Sequence, residues 1–226
     1  MHQNIAANKL GRDFVVGDIH GAYELLREEM RRNGFDIKTD RLFSVGDIID
    51  RGPSSEKCIG LLDEDWFYMV RGNHEQMLID ACLNGEGYDW WNSYGTWSKW
   101  LDTELVKSWA ANFSKLPISL TINEGTYSVG ICHAEPDGQN WIVSRENPRS
   151  ESVMLWGRRV LRGDIDYDVD GVDITIHGHT PIDDPKWVGN RYFIDTGAWE
   201  TGNLIFRNIA DIYSEFMAVK NVFGES

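Results

Sequence analysis

Three short apolar runs in the first third of the chain end on the same punctuation. DFVVGD (13–18) and LFSVGD (42–47) close on Gly-Asp, and WFYMVRGN (66–73) closes on Gly-Asn. Runs of this kind, bounded by turn residues, read as strands covered on both faces. Between the first two lies AYELLREEMRRNG, with Ala22, Leu25, Leu26 and Met30 on one face and Gly34 as a stop, an amphipathic helix. SSEKCIGLL (54–62), behind Pro53, predicts a shorter helix with Ser54 as its cap. The order β-α-β-α-β predicts three neighbouring parallel strands joined by right-handed crossovers.

Residues 74–116 read as helical, with Met77, Leu78, Ala81 and Cys82 in one stripe. The segment YDWWNSYGTWSKW holds Trp90, Trp91, Trp97 and Trp100. It reads either as an aromatic wall for a substrate or as a helical cap filled with bulky side chains. The helical spacing of Trp97, Trp100 and Leu101 favours a cap over about 75–116. From 117 onward come the strand-like runs ISLTINE, TYSVGICH, VDITIHGH, RYFIDTG and NLIFRNI, with a polar stretch at 137–168 and a helical piece near 150–156. Parallel β-α-β first and mostly antiparallel strands later predict an α/β fold. It would have two sheets packed face to face, helices outside, and one domain over 1–226.

Composition narrows the function. At 42% hydrophobic and 26% charged, the chain reads as soluble and globular. A formal charge of −14 argues against nucleic acid as a partner, so a bound anion needs a local positive site. No run approaches ~18 apolar residues, and MHQNIAANKLGRDF lacks a signal-peptide core. The expectation is a cytoplasmic protein with no membrane partner, whose first residues, His2 included, are disordered. Cys58, Cys82 and Cys132 are too few and too scattered for a disulfide framework or zinc ribbon and read as small apolar residues.

The chemistry gathers at strand ends. His20, His74, His133, His177 and His179 lie in GDIHG (17–21), RGNHE (71–75), CHAEP (132–136) and HGHTP (177–181), alongside GDIIDRG (46–52). Ligands collect at the carboxyl ends of strands in open α/β sheets. Asp18, His20, Asp47, Asn73 and His133 offer oxygen and imidazole donors without thiolates, which suits Mn²⁺, Fe²⁺ or Zn²⁺. Any one of them alone would read as structural; their convergence carries the metal reading. With a histidine of HGHTP the donors exceed one tetrahedral site, which suggests two ions. Arg51 and Arg71 either pair with buried carboxylates or form forks for phosphate oxygens, and a positive centre favours a phosphomonoester dianion. Whether His177, His179 or both are ligands stays open at this point.

GDIHG, GDIIDRG and RGNHE followed by separated histidines resemble the phosphoprotein phosphatase family of metallophosphoesterases. Within it, the chain looks most like the small bacteriophage lambda-type and bacterial serine/threonine protein phosphatases. LWGR (155–158), IDTGA (194–198) and GNL (202–204) extend the likeness over nearly the whole chain. The resemblance implies a four-layer αββα fold. It places one metal on Asp18, His20 and a bridging Asp47, and a second on Asp47, Asn73, His133 and His179, with Mn²⁺ expected. It makes His74 the general acid oriented by Asp50, and Arg51, Arg71 and Arg158 the phosphate-binding groups. His177 then becomes a packed residue.

The sequence departs from that family at Glu135, where relatives carry Asp after CHA. Arg159 stands beside Arg158, and the spacing from Trp156 favours Arg158. The implied reaction is one-step hydrolysis of a phosphoprotein or phosphopeptide by water activated at two metals. Rivals are a dinucleoside polyphosphate or small phosphate ester at the same centre, and an inactive phosphoprotein-binding scaffold. The complete ligand set and His74 argue against the scaffold. Pro181, where diesterases of the wider superfamily often carry a further ligand histidine, argues against diester cleavage.

Overall fold

The computed structural model describes residues 2–87, 93–165 and 167–223, which form two mixed sheets with helices against them. The chain opens with strand β1 (His2–Ala6). The three apolar runs are β2 (Asp13–Val16), β3 (Arg41–Ser44) and β4 (Phe67–Met69), parallel and adjacent. They are apolar throughout because both faces are covered. Val15 and Phe43 join the core between the sheets, whereas Phe14, Val16 and Leu42 face the helices. Each such side chain contributes roughly 1.5–3 kcal/mol when fully buried.

Helix α1 (Tyr23–Arg32) buries Leu26 and Met30 and stops before the left-handed Gly34. In α2 (Ser55–Ile59) the expected cap Ser54 makes no side-chain capping bond; the neighbouring Ser55 hydroxyl instead accepts the Asp50 N–H. The predicted helical stretch is broken. Helix α3 (Asn73–Ile79) runs into a wide π-type turn at Asp80–Asn84, and a 3₁₀ turn at Thr96–Trp100 precedes α4 (Thr103–Phe113), which Asp102 caps. Trp90 and Trp91 lie outside the described residues.

Strands β5 (Ser119–Asn123), β6 (Ser128–Cys132), β7 (Ile174–His177), β8 (Lys186–Val188) and β9 (Arg191–Phe193) form the larger sheet, in the order β1-β5-β6-β7-β9-β8. Helices α5 (Trp141–Glu146) and α6 (Glu151–Trp156) cover its outer face through Trp141, Met154 and Leu155. A short α7 (Ala198–Thr201) leads to β10 (Phe206–Asn208), antiparallel to β2 in the four-stranded sheet. Leu120, Ile131, Ile174 and Ile176 of one sheet meet Val15, Phe43, Val45 and Val70 of the other, giving the predicted helix–sheet–sheet–helix layering.

Three expectations are corrected. The later strands are not mostly antiparallel: β5–β6 and β8–β9 are, but β1–β5, β6–β7 and β7–β9 are parallel. The excursion through α5 and α6 supplies the crossover that a parallel β6–β7 pair requires. The first residues are not disordered but form β1, where His2 Nδ1 lies 2.9 Å from Ser119 Oγ. NLIFRNI yields only β10 before α8 (Ile209–Phe223) begins, and Ile209 and Ile212 enter the inter-sheet core. Among the described residues no helix is long and apolar enough to cross a membrane.

Candidate active site

The loops after β2, β3, β4, β6 and β7 open at one end of the two sheets. They bring Asp18, His20, Asp47, Asn73, His74, His133 and His179 together, all buried. The β2 and β3 loops are tied to each other: Ile19 and His20 N–H donate to the Asp47 carbonyl at 3.1 and 2.8 Å, and Gly52 N–H donates to the His20 carbonyl at 2.9 Å. Among the described residues, the non-glycine residues with positive φ are His20 (44°), Asp47 (53°), Asp50 (71°), Arg51 (64°) and His179 (71°). Such conformations cost about 1–3 kcal/mol each and persist only where surroundings over-determine them. Glu75 is one such surrounding group; its carboxylate accepts the N–H of Asp47, Ile48 and Gly72, each at 2.9 Å. At Gly72 a Cβ would meet the Asp47 carboxylate, and at Gly178 the Asp18 carboxylate, so glycine permits both close approaches.

Asp47 sits at the middle. Its Oδ2 is 3.4 Å from His133 Nε2, 3.5 Å from His20 Nε2 and 3.9 Å from His74 Nε2, while Oδ1 accepts the His74 N–H at 2.9 Å. Two groups of converging ligand atoms, His20–Asp47–His74 and Asp18–Asp47–His133, share it. Asn73 Oδ1 is 2.8 Å from both His133 Nε2 and His179 Nδ1. Carbonyls aim the rings: His20 Nδ1–H donates to Ile49 O and His133 Nδ1–H to Val45 O, both at 2.8 Å, which turns each Nε2 inward.

Charge explains what the cluster can hold. Asp18, Asp47 and Asp195 are buried, and among the described residues none has a lysine or arginine ion pair. Burial, then the nearby Asp195, pushes the Asp18 carboxyl well above the usual range. Burial opposes ionisation of Asp47 too, but His133, His74 and His20 hold it well below its ordinary value. Burial disfavours a charged His133, yet Asp47 raises it to about 10, whereas burial takes His20 and His179 down to about 3. The cluster draws in positive charge. Buried carboxylates, imidazoles and a carboxamide without thiolates fit divalent metal ions.

Beside the cluster, His74 Nδ1 is 2.7 Å from Asp50 Oδ2, and its Nε2 is 3.3 Å from an Arg51 guanidinium nitrogen. Arg51 lies between the rings of Tyr94 and Trp199, at 5.9 and 5.7 Å, and rims a cavity of about 300 Å³. Arg158 Nε is 3.2 Å from His179 Nε2, while Arg159 turns away to Glu135 and Asp137. Glu135, the departure from the expected Asp, accepts the N–H of Arg159 and Val160 and so pins this turn.

Arg71 does not join the others. Its guanidinium donates to the carbonyls of Phe113, Ser114 and Leu116 and to the side chains of Gln76 and Glu151. With its donors occupied it ties α3 to the end of α4. His177 is fully buried, with Nε2 2.7 Å from Thr175 Oγ1 and Nδ1 3.0 Å from the Cys132 carbonyl, outside the cluster.

Sequence reasoning missed Glu75, Trp97 and Asp195. Glu75 stands at the third position of α3, where a carboxylate reaching back to the cap is a readable signal. Asp195 ends RYFIDTG with the same Asp-before-turn punctuation as the other strands. Trp97 Nε1–H donates to Asp50 Oδ1 at 2.6 Å, a contact with no local signal. The larger cavity, about 610 Å³ between α8 and residues 168–173, lies away from all these groups, so convergence of ligand atoms rather than volume marks the site.

Residues 14–183 match the calcineurin-like phosphoesterase family. The chain is 36% identical over 215 residues to serine/threonine-protein phosphatase 2 of Escherichia coli (strain K12), covering 92% of this chain and 97% of that protein. It is 35% identical, with the same coverage, to serine/threonine-protein phosphatase 1 of Salmonella typhimurium. A solved structure described as a putative diadenosine tetraphosphatase shares the fold, with a TM-score of 0.64 at 20% identity over 91% of this chain and 97% of that one. Strand-end cluster and relatives agree, and the chain belongs to the calcineurin-like phosphoesterases, a metallophosphoesterase family of hydrolases.

Proposed function

We propose that the chain is a lambda-type protein phosphatase that hydrolyses phosphoserine and phosphothreonine monoesters with two divalent ions, Mn²⁺ being the expected metal. The carrying observation is Asp47, whose carboxylate lies among three imidazoles beside the His74–Asp50 pair. The names of the relatives at 35–36% identity support a phosphoprotein substrate. Asp18, His20 and Asp47 would hold one ion, and Asp47, Asn73, His133 and His179 the other.

When bound, such ions lower the pKa of water towards neutrality and offset charge on the phosphate. The chain's own groups do the rest. Arg51 and Arg158, at the rim, bind phosphoryl oxygens. His74 holds a proton at Nε2 and passes it to the leaving oxygen, while Asp50 keeps the Nδ1 proton and fixes the ring. The chain works as one catalytic unit in the cytoplasm; three free cysteines suit that reducing compartment.

The test is metal-stripped protein reloaded with Mn²⁺ and assayed on phosphoserine and phosphotyrosine peptides, diadenosine tetraphosphate and an aryl phosphate. The highest kcat/KM is expected for the phosphoserine peptide. A preference for diadenosine tetraphosphate would replace the protein substrate by a dinucleotide, and no turnover with any metal would end the reading. His74→Asn is expected to lower kcat by roughly 10²–10⁴-fold with metal content unchanged. Full activity in that variant would remove the acid assignment.

A further inference from the structure

Asp50 is fully buried and both its oxygens are engaged. Oδ2 faces His74 Nδ1 at 2.7 Å, and Oδ1 accepts the indole N–H of Trp97 at 2.6 Å. Its backbone is held as well, by the Asp50 N–H bond to Ser55 Oγ at 2.9 Å. Trp97 comes from the turn Thr96–Trp100, within the tryptophan-rich segment and outside the strand-end loops. Its ring rests on Trp109 of α4, with centroids 5.9 Å apart. Tyr94, from the same segment, sets its ring edge-on to His74 at 5.3 Å. Packing could be satisfied by any large aromatic ring, but the bond to Asp50 requires a donor. A carboxylate held at one oxygen can still tilt within the range its single hydrogen bond tolerates, whereas one held at both keeps one orientation.

We propose that Trp97 is a positioning residue whose indole N–H locks Asp50, so that the Asp50–His74 pair keeps the imidazole aimed at the leaving oxygen. The inference rests on His74 being the general acid. It makes the aromatic segment part of the protonation apparatus rather than packing alone. Protonation matters in proportion to the basicity of the leaving group: a serine alkoxide needs it, and 2,4-dinitrophenolate does not.

The test uses the Mn²⁺-loaded full chain with Trp97→Phe, and a second variant carrying benzothienylalanine at 97, which keeps the indole shape without the N–H. Each is assayed on a phosphoserine peptide and on 2,4-dinitrophenyl phosphate, alone and combined with His74→Asn. The loss in kcat on phosphoserine is expected to exceed that on the aryl ester by about tenfold, with no further loss in the His74→Asn background. Equal losses on the two substrates, no loss on either, or losses that add to His74→Asn would overturn the role of Trp97. Should His74→Asn itself lose both substrates equally, the acid assignment falls and takes this inference with it.

Discussion

Strands β2 and β3 carry buried aspartates at both ends, and the two ends are built on opposite principles. Where they start, Asp13 is gripped by Arg41 through two bonds, Nε to Oδ1 at 2.8 Å and a terminal nitrogen to Oδ2 at 2.5 Å. Just past their far ends, Asp18 and Asp47 have no guanidinium or ammonium partner among the described residues and are equally buried. Backbone follows charge. The Asp13–Arg41 end lies in regular strand, whereas Asp47 and its neighbours His20, Asp50 and Arg51 are forced into left-handed conformations. One end is closed by a guanidinium fork and serves the fold; the other has imidazoles around its carboxylates and fits metal ions.

The contrast can be broken in graded steps. Asp47→Asn is expected to lower kcat by roughly 10³-fold or more, because it removes the carboxylate common to both ligand groups. The metal-free Asp18→Asn variant should melt no lower than the metal-free parent, since burial and then Asp195 already push the Asp18 carboxyl well above its usual range. A clear drop in its calorimetric Tm would erase the distinction between the two ends. Asp13→Asn should do the reverse, lowering unfolding free energy by roughly 2–3 kcal/mol in denaturant titrations while kcat holds. The smallest effect concerns Glu124, next to Asp13, whose carboxyl burial and Asp13 together push up to about 7 from its ordinary 4.5. The folded chain then keeps a proton that the unfolded chain releases, so this contribution is full below pH 4.5 and falls away as pH rises to about 7. Glu124→Gln should flatten that part of the Tm–pH curve, and a curve parallel to the parent's would clear Glu124 of the effect.

The strand-end residues were readable because their signal is local and repeated. Each apolar run stops at Gly with an oxygen or imidazole donor close by, and the βαβαβ order sends the first three to one edge. The surroundings of Arg71 were hidden for a complementary reason. Its neighbours in sequence are site residues, but the carbonyls that hold it come from residues 113–116, and nothing in RGN announces them. Trp97 was hidden in the same way, 47 residues from the carboxylate it touches. Strand β1 was invisible because only Ile5 of HQNIA is buried, so its strand character comes from β5 rather than from alternation. In α8 the apolar spacing of Ile209, Ile212 and Phe216 was present, but it begins inside a run that alternates like a strand.

The order of the strands also has a meaning in time. The first strand of the chain, β1, waits for β5, with His2 opposite Ser119, and the last, β10, returns Phe206 to lie opposite Val16. The earliest strand completes the later sheet, and the latest strand completes the earlier sheet. A ribosome releasing this chain has delivered every candidate ligand by residue 179. Phe206, Ile209 and Ile212 are still missing at that moment, and β2 keeps an open edge. The closure of longest reach comes last and is the slowest kind to make. Strand β10 and the helix behind it therefore close the four-stranded sheet over candidate ligands that are already in the chain.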